Sequence, residues 1–168
     1  KFNDMGEAQS IRGLAQYTDE VRERFINLAI SYNINIITGS MPYVKEDGSL
    51  YNVGFLCRRD GTYDMYEKVH VTPDEVKSWG LSGGKMVRTF DTDCAKIGVL
   101  ICYDVEFPEL SRIMADQGMQ ILFVPFLTDT QNGYSRVRVC AQARAIENEC
   151  FVVIAGSVGN LPRVHNMD

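Results

Sequence analysis

Histidine, tryptophan and paired cysteines are scarce in this 168-residue chain. It has two histidines, one tryptophan and five cysteines, with no C-x-x-C pair among them. Structural zinc sites use four Cys or His ligands at close spacing, so no metal site is predicted. An odd number of widely spaced cysteines also argues against a disulfide framework and fits a reducing, cytoplasmic environment. The cysteines are Cys57, Cys94, Cys102, Cys140 and Cys150.

The chain also lacks long hydrophobic runs and an excess of positive charge. Its longest apolar stretches, such as residues 97–101, are strand-length, whereas a membrane helix needs about 20 apolar residues. No signal-peptide pattern opens the sequence. Lys and Arg number 17 against 22 Asp and Glu, for a net charge of -5, and the basic residues are scattered. This balance argues against nucleic acid and membrane partners and favours a small molecule.

Helical and strand patterns alternate along the sequence. Apolar residues make up 45% of the chain and charged residues 23%, as in globular proteins, and the length fits one domain over residues 1–168. Thr18 is placed to cap the first helix, and Asp60-Gly61 predicts a hairpin turn. The pattern indicates an α/β fold with a mixed sheet and helices on its faces. Helices are predicted at 18–33, 108–117 and 134–149, and strands at 34–40, 51–59, 62–71, 95–101, 120–125 and 150–155.

Two apolar stripes define the predicted buried faces of the first and last helices. Each stripe follows the helical repeat, so its members share one side of the helix. In the first helix the stripe is Val21, Phe25, Leu28, Ala29 and Tyr32, and in the last it is Val137, Cys140, Ala141 and Ala145.

Cys102 follows a buried strand directly. The carboxyl end of such a strand faces the crevice in which α/β folds bind ligands. Backbone N–H groups of the turn that follows can stabilise a thiolate and later an oxyanion. A small buried hydrophobic residue is the alternative interpretation. Lys68, in the second hairpin strand, could stabilise a thiolate or an oxyanion, or it could be a solvated strand residue.

Three ordered motifs carry a family resemblance. They are YEKVH at 66–70, GVLICYD at 98–104 with FPE at 107–109, and ARAIEN at 143–148. Together they resemble the nitrilase superfamily of carbon-nitrogen hydrolases, over residues 18–159. The resemblance implies a four-layer α-β-β-α sandwich and a Glu-Lys-Cys triad that hydrolyses non-peptide C–N bonds without a cofactor.

The resemblance also implies roles for individual residues. Cys102 would be the nucleophile, Lys68 the cation beside the tetrahedral intermediate, and the Tyr103 N–H the oxyanion donor. Glu75 is the positional match to a second glutamate near the substrate, with a solvated loop carboxylate as the alternative. Arg144 and Glu147 are interpreted as a structural ion pair. Asp104, Phe107 and Glu109 would shape the turn after the nucleophile, and Phe126, Thr128 and Asp129 would line the pocket.

One triad member has no match in this sequence. The family's general-base glutamate follows its first strand, and Glu7 lacks that setting. We therefore expect the base to lie upstream of Lys1 and the fold to be incomplete at both ends.

The resemblance further favours an amidase. Cys102-Tyr103-Asp104 resembles the amidase-like branches, whereas Trp-Glu tends to follow the cysteine of true nitrilases. The expected reaction is hydrolysis of a small amide through a cysteine thioester with release of ammonia. Carbamoyl hydrolysis, nitrile hydrolysis and a vestigial oligomerisation or scaffold module stay open. By analogy with the family, we expect a homodimer formed through the helices at 108–117 and 134–149.

Overall fold

Two compact units make up the chain, residues 1–86 and 87–168. The computed structural model describes residues 5–161 and 164–165. The first unit contains α1 (Glu7–Ala15), α2 (Thr18–Tyr32), β1 (Ile36–Ile37), β2 (Met41–Val44), β3 (Leu50–Cys57), β4 (Tyr63–Glu67) and a π-helical turn (Glu75–Trp79). The second contains β5 (Phe90–Asp91), β6 (Lys96–Val99), a 3₁₀ turn (Cys102–Glu106), α3 (Pro108–Asp116), β7 (Ile121–Phe126), α4 (Gln131–Asn148), β8 (Phe151–Gly156), β9 (Asn160–Leu161) and β10 (Val164–His165). The single domain stays a prediction.

The helix predicted at 18–33 is confirmed as α2, but its cap and its buried face differ from the prediction. Tyr17 occupies the N-cap position, and the buried Thr18 hydroxyl donates to Pro42 O at 2.6 Å instead of capping. The helix buries Ile26 and Ala29, whereas Leu28 and Tyr32 of the predicted stripe are 42% and 71% exposed. Phe25 and Ala29 of the predicted stripe do pack in the core. The stripe is wrong at Leu28 and Tyr32, because apolar residues occur on both sides of this helix.

The strand predicted at 34–40 is much shorter in the structure. Asn33 adopts a left-handed conformation at the end of α2, with φ 53°, and the Ile34 N–H donates to Ala29 O at 3.0 Å. Ile34 therefore belongs to the helix cap, as in a Schellman motif. Only β1 remains as strand, and it pairs antiparallel with β3.

The sheet of the first unit is antiparallel and is centred on β3. Strands β1 and β2 pair with one side of β3, and β4 pairs with the other through the predicted hairpin. The Arg58 N–H donates to Thr62 O at 2.8 Å across the turn, and Gly61 supplies the positive φ of 88°. Val53, Phe55 and Cys57 lie in the core with Ile26 and Ala29 of α2, so the hairpin and its buried face are confirmed.

The sheet of the second unit has the order β5-β6-β7-β8. β5 pairs antiparallel with β6, whereas β6, β7 and β8 are parallel and are connected through α3 and α4. The alternation of helix and strand predicted for this half is confirmed, and β7 alternates buried and half-buried residues. A Cβ at Gly98 of β6 would overlap the sulfur atoms of Met114 and Met119, so glycine lets α3 pack close to the sheet.

The last helix begins earlier than the predicted residue 134. Thr130 adopts an extended conformation before α4, and its Oγ1 accepts a hydrogen bond from the Gly133 N–H at 3.1 Å. The helix buries Val137 and Ala141 as predicted and also Arg144, while Cys140 and Ala145 are half-buried. The apolar pattern alone missed the first turn because that turn is polar.

The Thr130 cap gives a stability prediction. We expect Thr130→Ala to lower the free energy of unfolding by about 1 kcal/mol, because the Gly133 N–H loses its acceptor. Thr130→Ser keeps the hydroxyl and should unfold close to the wild type in urea. Equal midpoints for the alanine and serine variants would contradict a capping role.

Candidate active site

The strand before Cys102 fixes where its side chain is presented. Leu100 and Ile101 are buried, and the Leu100 N–H extends the β6–β7 ladder by donating to Phe123 O at 3.0 Å. Cys102 then takes a left-handed conformation, with φ 50°. Its Sγ lies 3.6 Å from Leu127 O, just beyond the end of β7. Cys102 follows the buried strand as predicted, and the structure adds that its thiol lies where the carboxyl ends of two parallel strands meet.

The turn that follows Cys102 is built around Asp104. This carboxylate is 1% exposed, and its Oδ2 accepts a hydrogen bond from the Ile101 N–H at 3.2 Å. In return, the Asp104 N–H donates to Ile101 O at 3.1 Å, and the Phe107 N–H donates to Asp104 O at 3.1 Å. The rings of Tyr103 and Phe107 meet edge to face, with centroids 5.0 Å apart. Asp104 and Phe107 thus shape the turn, as expected.

Lys68 lies directly after β4 and is 2% exposed. Its backbone is fixed on both sides, because its N–H donates to Asn52 O at 2.9 Å and its carbonyl accepts from the Gly84 N–H at 2.7 Å. Its Nζ lies 2.6 and 2.7 Å from the two carboxylate oxygens of Glu75. The solvated-strand alternative for Lys68 is wrong, since a charge buried in this way needs a partner and has one.

Glu75 opens the π-helical turn and is 8% exposed, so it is not a solvated loop carboxylate. Its Oε2 also accepts a hydrogen bond from the Thr72 N–H at 2.6 Å, and its own N–H faces Thr72 Oγ1 at 3.3 Å. This reciprocal pair has the geometry of a capping box. The structure therefore brings together Lys68 and Glu75, which the sequence indicates as two separate candidates.

The residues expected to line a pocket lie at the end of β7 and directly after it. Phe126 is 7% exposed at the end of that strand, and its ring centroid lies 6.3 Å from that of Tyr134. Thr128 is 9% exposed and lies close to Gly133 in the first turn of α4. Asp129 and Glu109 are exposed. Phe126 and Thr128 therefore lie beside Leu127, whose carbonyl contacts the Cys102 thiol.

A family model for carbon-nitrogen hydrolases matches residues 4–167. The chain belongs to the carbon-nitrogen hydrolase family. It is 53% identical over 159 residues to the probable hydrolase YhcX of Bacillus subtilis, a match that covers 95% of this chain and 31% of that protein. It is 34% identical to a deaminated glutathione amidase of Synechocystis, over 82% of this chain and 55% of that protein. The chain thus spans only 31% and 55% of the lengths of these two relatives.

The structural comparison agrees with the family assignment. The crystal structure of Saccharomyces cerevisiae Nit3, a member of the nitrilase superfamily, aligns with a TM-score of 0.80 and 30% identity, covering 88% of this chain and 54% of that one. The predicted α/β sandwich class of the nitrilase superfamily is thereby confirmed. None of the helices in residues 5–161 is long and apolar enough to cross a membrane.

Three groups outside the predicted set contact a candidate residue or the turn after Cys102: the Thr72 N–H, the Arg144 guanidinium and the Leu127 carbonyl. Thr72 was not predicted from the sequence, although T-x-x-E is a capping-box pattern. The contact of Arg144 with the turn after Cys102 was not predicted either, although an arginine on the stripe of Val137 and Ala141 signals a buried charge. No sequence pattern could indicate the contact of the Leu127 carbonyl, because every residue carries a backbone carbonyl.

The predicted ion pair is confirmed. Arg144 Nη1 lies 2.8 Å from Glu147 Oε2. Within the described residues, no group of three His, Cys, Asp or Glu side chains is arranged to hold a metal ion.

Proposed function

We propose that the protein hydrolyses the C–N bond of a small amide, with Cys102 as the nucleophile and Lys68 as the stabilising cation. The observation that carries this proposal is the left-handed Cys102 at the end of a buried parallel strand. A non-glycine residue with φ 50° stores strain, and strained backbone of this kind clusters at functional sites. The amidase among the relatives supports an amide substrate.

The Lys68–Glu75 pair supports the second role. A buried ion pair contributes little net stability compared with apolar packing, so its presence is better explained by function. The carboxylate holds the Lys68 ammonium in place at a site from which water is largely excluded, and there a cation stabilises a developing oxyanion far more than it does in water. The Glu75 carboxylate also accepts a hydrogen bond from the Thr72 N–H. This second hydrogen bond fixes the orientation in which the carboxylate contacts Lys68. Glu75 is therefore proposed to orient the ammonium and to lie near the substrate.

The proposed reaction proceeds in two balanced halves. A carboxylate base takes the thiol proton, and the Cys102 sulfur attacks the amide carbonyl to form a C–S bond. Lys68 and the Tyr103 N–H stabilise the resulting oxyanion. The base then gives its proton to the leaving nitrogen, the C–N bond breaks, and ammonia and a thioester remain. Water, deprotonated by the same base, cleaves the thioester to release the acid and restore the thiol.

Trapping the acyl intermediate tests this proposal. The full natural chain, incubated with small aliphatic amides and hydroxylamine, should release ammonia and form hydroxamates. We expect Cys102→Ala to lose at least about 10⁴-fold in kcat, because removing a nucleophile leaves only binding and oxyanion stabilisation. Cys94→Ala is the matched control, since Cys94 is exposed in the same unit.

The outcomes separate the open alternatives. A hydroxamate signal that depends on Cys102 supports the amidase, whereas the same dependence with nitriles and not amides would support a nitrilase. No turnover and no adduct with amides, nitriles or carbamoyl compounds would overturn the hydrolase proposal in favour of a scaffold.

A further inference from the structure

Arg144 is a buried charge on α4, with only 5% of its surface exposed. A guanidinium cannot lose its proton in a protein, so burial costs free energy unless its N–H groups find acceptors. Its Nη1 reaches Glu147 of the same helix. The other two nitrogens, Nε and Nη2, make contacts outside α4, and these contacts indicate the role of the residue.

Those nitrogens bind the backbone of the turn that starts at Cys102. Nε donates to Val105 O at 3.0 Å, and Nη2 donates to Glu106 O at 3.2 Å. Carbonyls at the end of a short helical turn have no following turn to bond to. Val105 is fully buried, so water is a poor substitute for the guanidinium there. Arg144 therefore closes the end of the 102–106 turn.

The beginning of the same turn is where the strain lies. The left-handed conformation costs an L-residue roughly 1–2 kcal/mol and persists only where the surroundings impose it. On the strand side, the Asp104 carboxylate holds the Ile101 N–H. On the helix side, Arg144 holds the last carbonyls. With both ends fixed, Cys102 cannot relax to an ordinary φ by moving the turn.

We propose that Arg144 is a positioning residue for Cys102. Through Val105 O and Glu106 O, it keeps the turn in the conformation that presents the thiol and the neighbouring N–H groups. This inference rests on the proposed function, because it takes Cys102 as the nucleophile. The guanidinium of Arg144 contacts Glu147 and the backbone of the turn. Its loss should therefore change the reaction rate and not the substrate affinity.

Variants of Arg144 in the full natural chain test the inference. Arg144→Met removes all its hydrogen bonds, and Arg144→Lys keeps the charge but cannot reach both carbonyls at once. Arg136→Met is the matched control: Arg136 lies on the same helix, is 55% exposed and pairs with the Glu106 carboxylate at 3.2 Å, not with the turn's backbone. Thermal unfolding defines a temperature at which each variant is folded.

The first measurement is alkylation by iodoacetamide, followed at each cysteine by peptide mass spectrometry across pH. We expect Cys102 to react at least about tenfold more slowly in Arg144→Met, with its pH profile moved upward and Arg144→Lys intermediate. The exposed Cys94 should keep its rate in every variant. Arg136→Met should match the wild type at both cysteines.

The second measurement separates positioning from binding. With an amide substrate, kcat should fall by about 10–100-fold in Arg144→Met while KM stays within about twofold. An unchanged Cys102 rate and pH profile in a folded Arg144→Lys variant with a lowered Tm would show a purely structural role and overturn the inference. If Arg144→Met does not fold, the lysine variant decides. If the wild type hydrolyses no amide, the proposed function fails, yet the alkylation result still decides the role of Arg144.

Discussion

Lys68→Met should abolish amide hydrolysis and lower the free energy of unfolding by about 3–5 kcal/mol. The stability loss arises because the variant leaves the Glu75 carboxylate buried without its cation. The rate loss arises because the oxyanion loses the positive charge that Lys68 is proposed to supply. Removing one oxyanion-stabilising group alone costs about 10²–10³-fold in kcat, and the loss of a full charge should exceed that. Thermal unfolding and ammonia release measure the two effects separately.

A second variant separates stability from catalysis. Lys68→Met combined with Glu75→Gln removes both charges, while the glutamine oxygen can still accept from the Thr72 N–H. Replacing a buried ion pair by neutral groups of similar volume is often neutral in stability. We therefore expect the double variant to recover most of the lost stability and none of the activity. Recovery of activity along with stability would contradict a catalytic role for Lys68.

Lys45 provides the matched control for this series. It forms a pair with Glu67 at 2.7 Å on the same sheet, but its side chain is 33% exposed. A pair in contact with water contributes about 0–1 kcal/mol. Lys45→Met should therefore lose little stability and keep the activity. An effect as large as that of Lys68→Met would show that any lysine on this sheet matters equally.

The fold was predictable where local chemistry and packing agree. Asp60-Gly61 demands a tight turn, and the strands it joins were correctly paired. The helices of the second unit follow from Pro108 at a helix start and from the spacing of Val137 and Ala141. Predictions failed where polar backbone chemistry decides instead. The strand predicted from Ile34 gives way to a left-handed helix cap at Asn33, because hydrogen bonds of the last helical turn outweigh β-propensity there.

In the candidate site, too, some features could be predicted from the sequence and others could not. Cys102 could be found because it follows a buried strand, and Lys68 because its motif matches a family. The partnership of Lys68 with Glu75 was not predictable from spacing alone, since it depends on a π-helical turn that carries the carboxylate back to the strand. The contacts of Arg144 with the 102–106 turn join residues 38 or 39 positions apart, and no local pattern reports such a pair.

Replacing Cys102 by glycine and by alanine should separate strain from chemistry. Both variants lose the sulfur, so both should lose hydrolysis completely. Glycine adopts φ 50° without the Cβ penalty, whereas alanine keeps it. We expect Cys102→Gly to be more stable than Cys102→Ala by about 1 kcal/mol, even though glycine ordinarily destabilises a folded chain relative to alanine. Urea unfolding of the two variants measures that difference.

The sign of this difference in the free energy of unfolding shows whether the backbone of Cys102 is strained. At a position with ordinary φ, alanine is the more stabilising residue because glycine loses more conformational entropy on folding. Exposed Cys94 is not among the non-glycine residues with positive φ in the described part of the chain, so Cys94→Gly and Cys94→Ala give that ordinary order. If the glycine variant is the more stable one at Cys102 but not at Cys94, the fold loses stability by keeping Cys102 in its left-handed conformation. The ordinary order at both cysteines would show that the turn relaxes at no cost, and strain at the proposed nucleophile would then have no energetic basis.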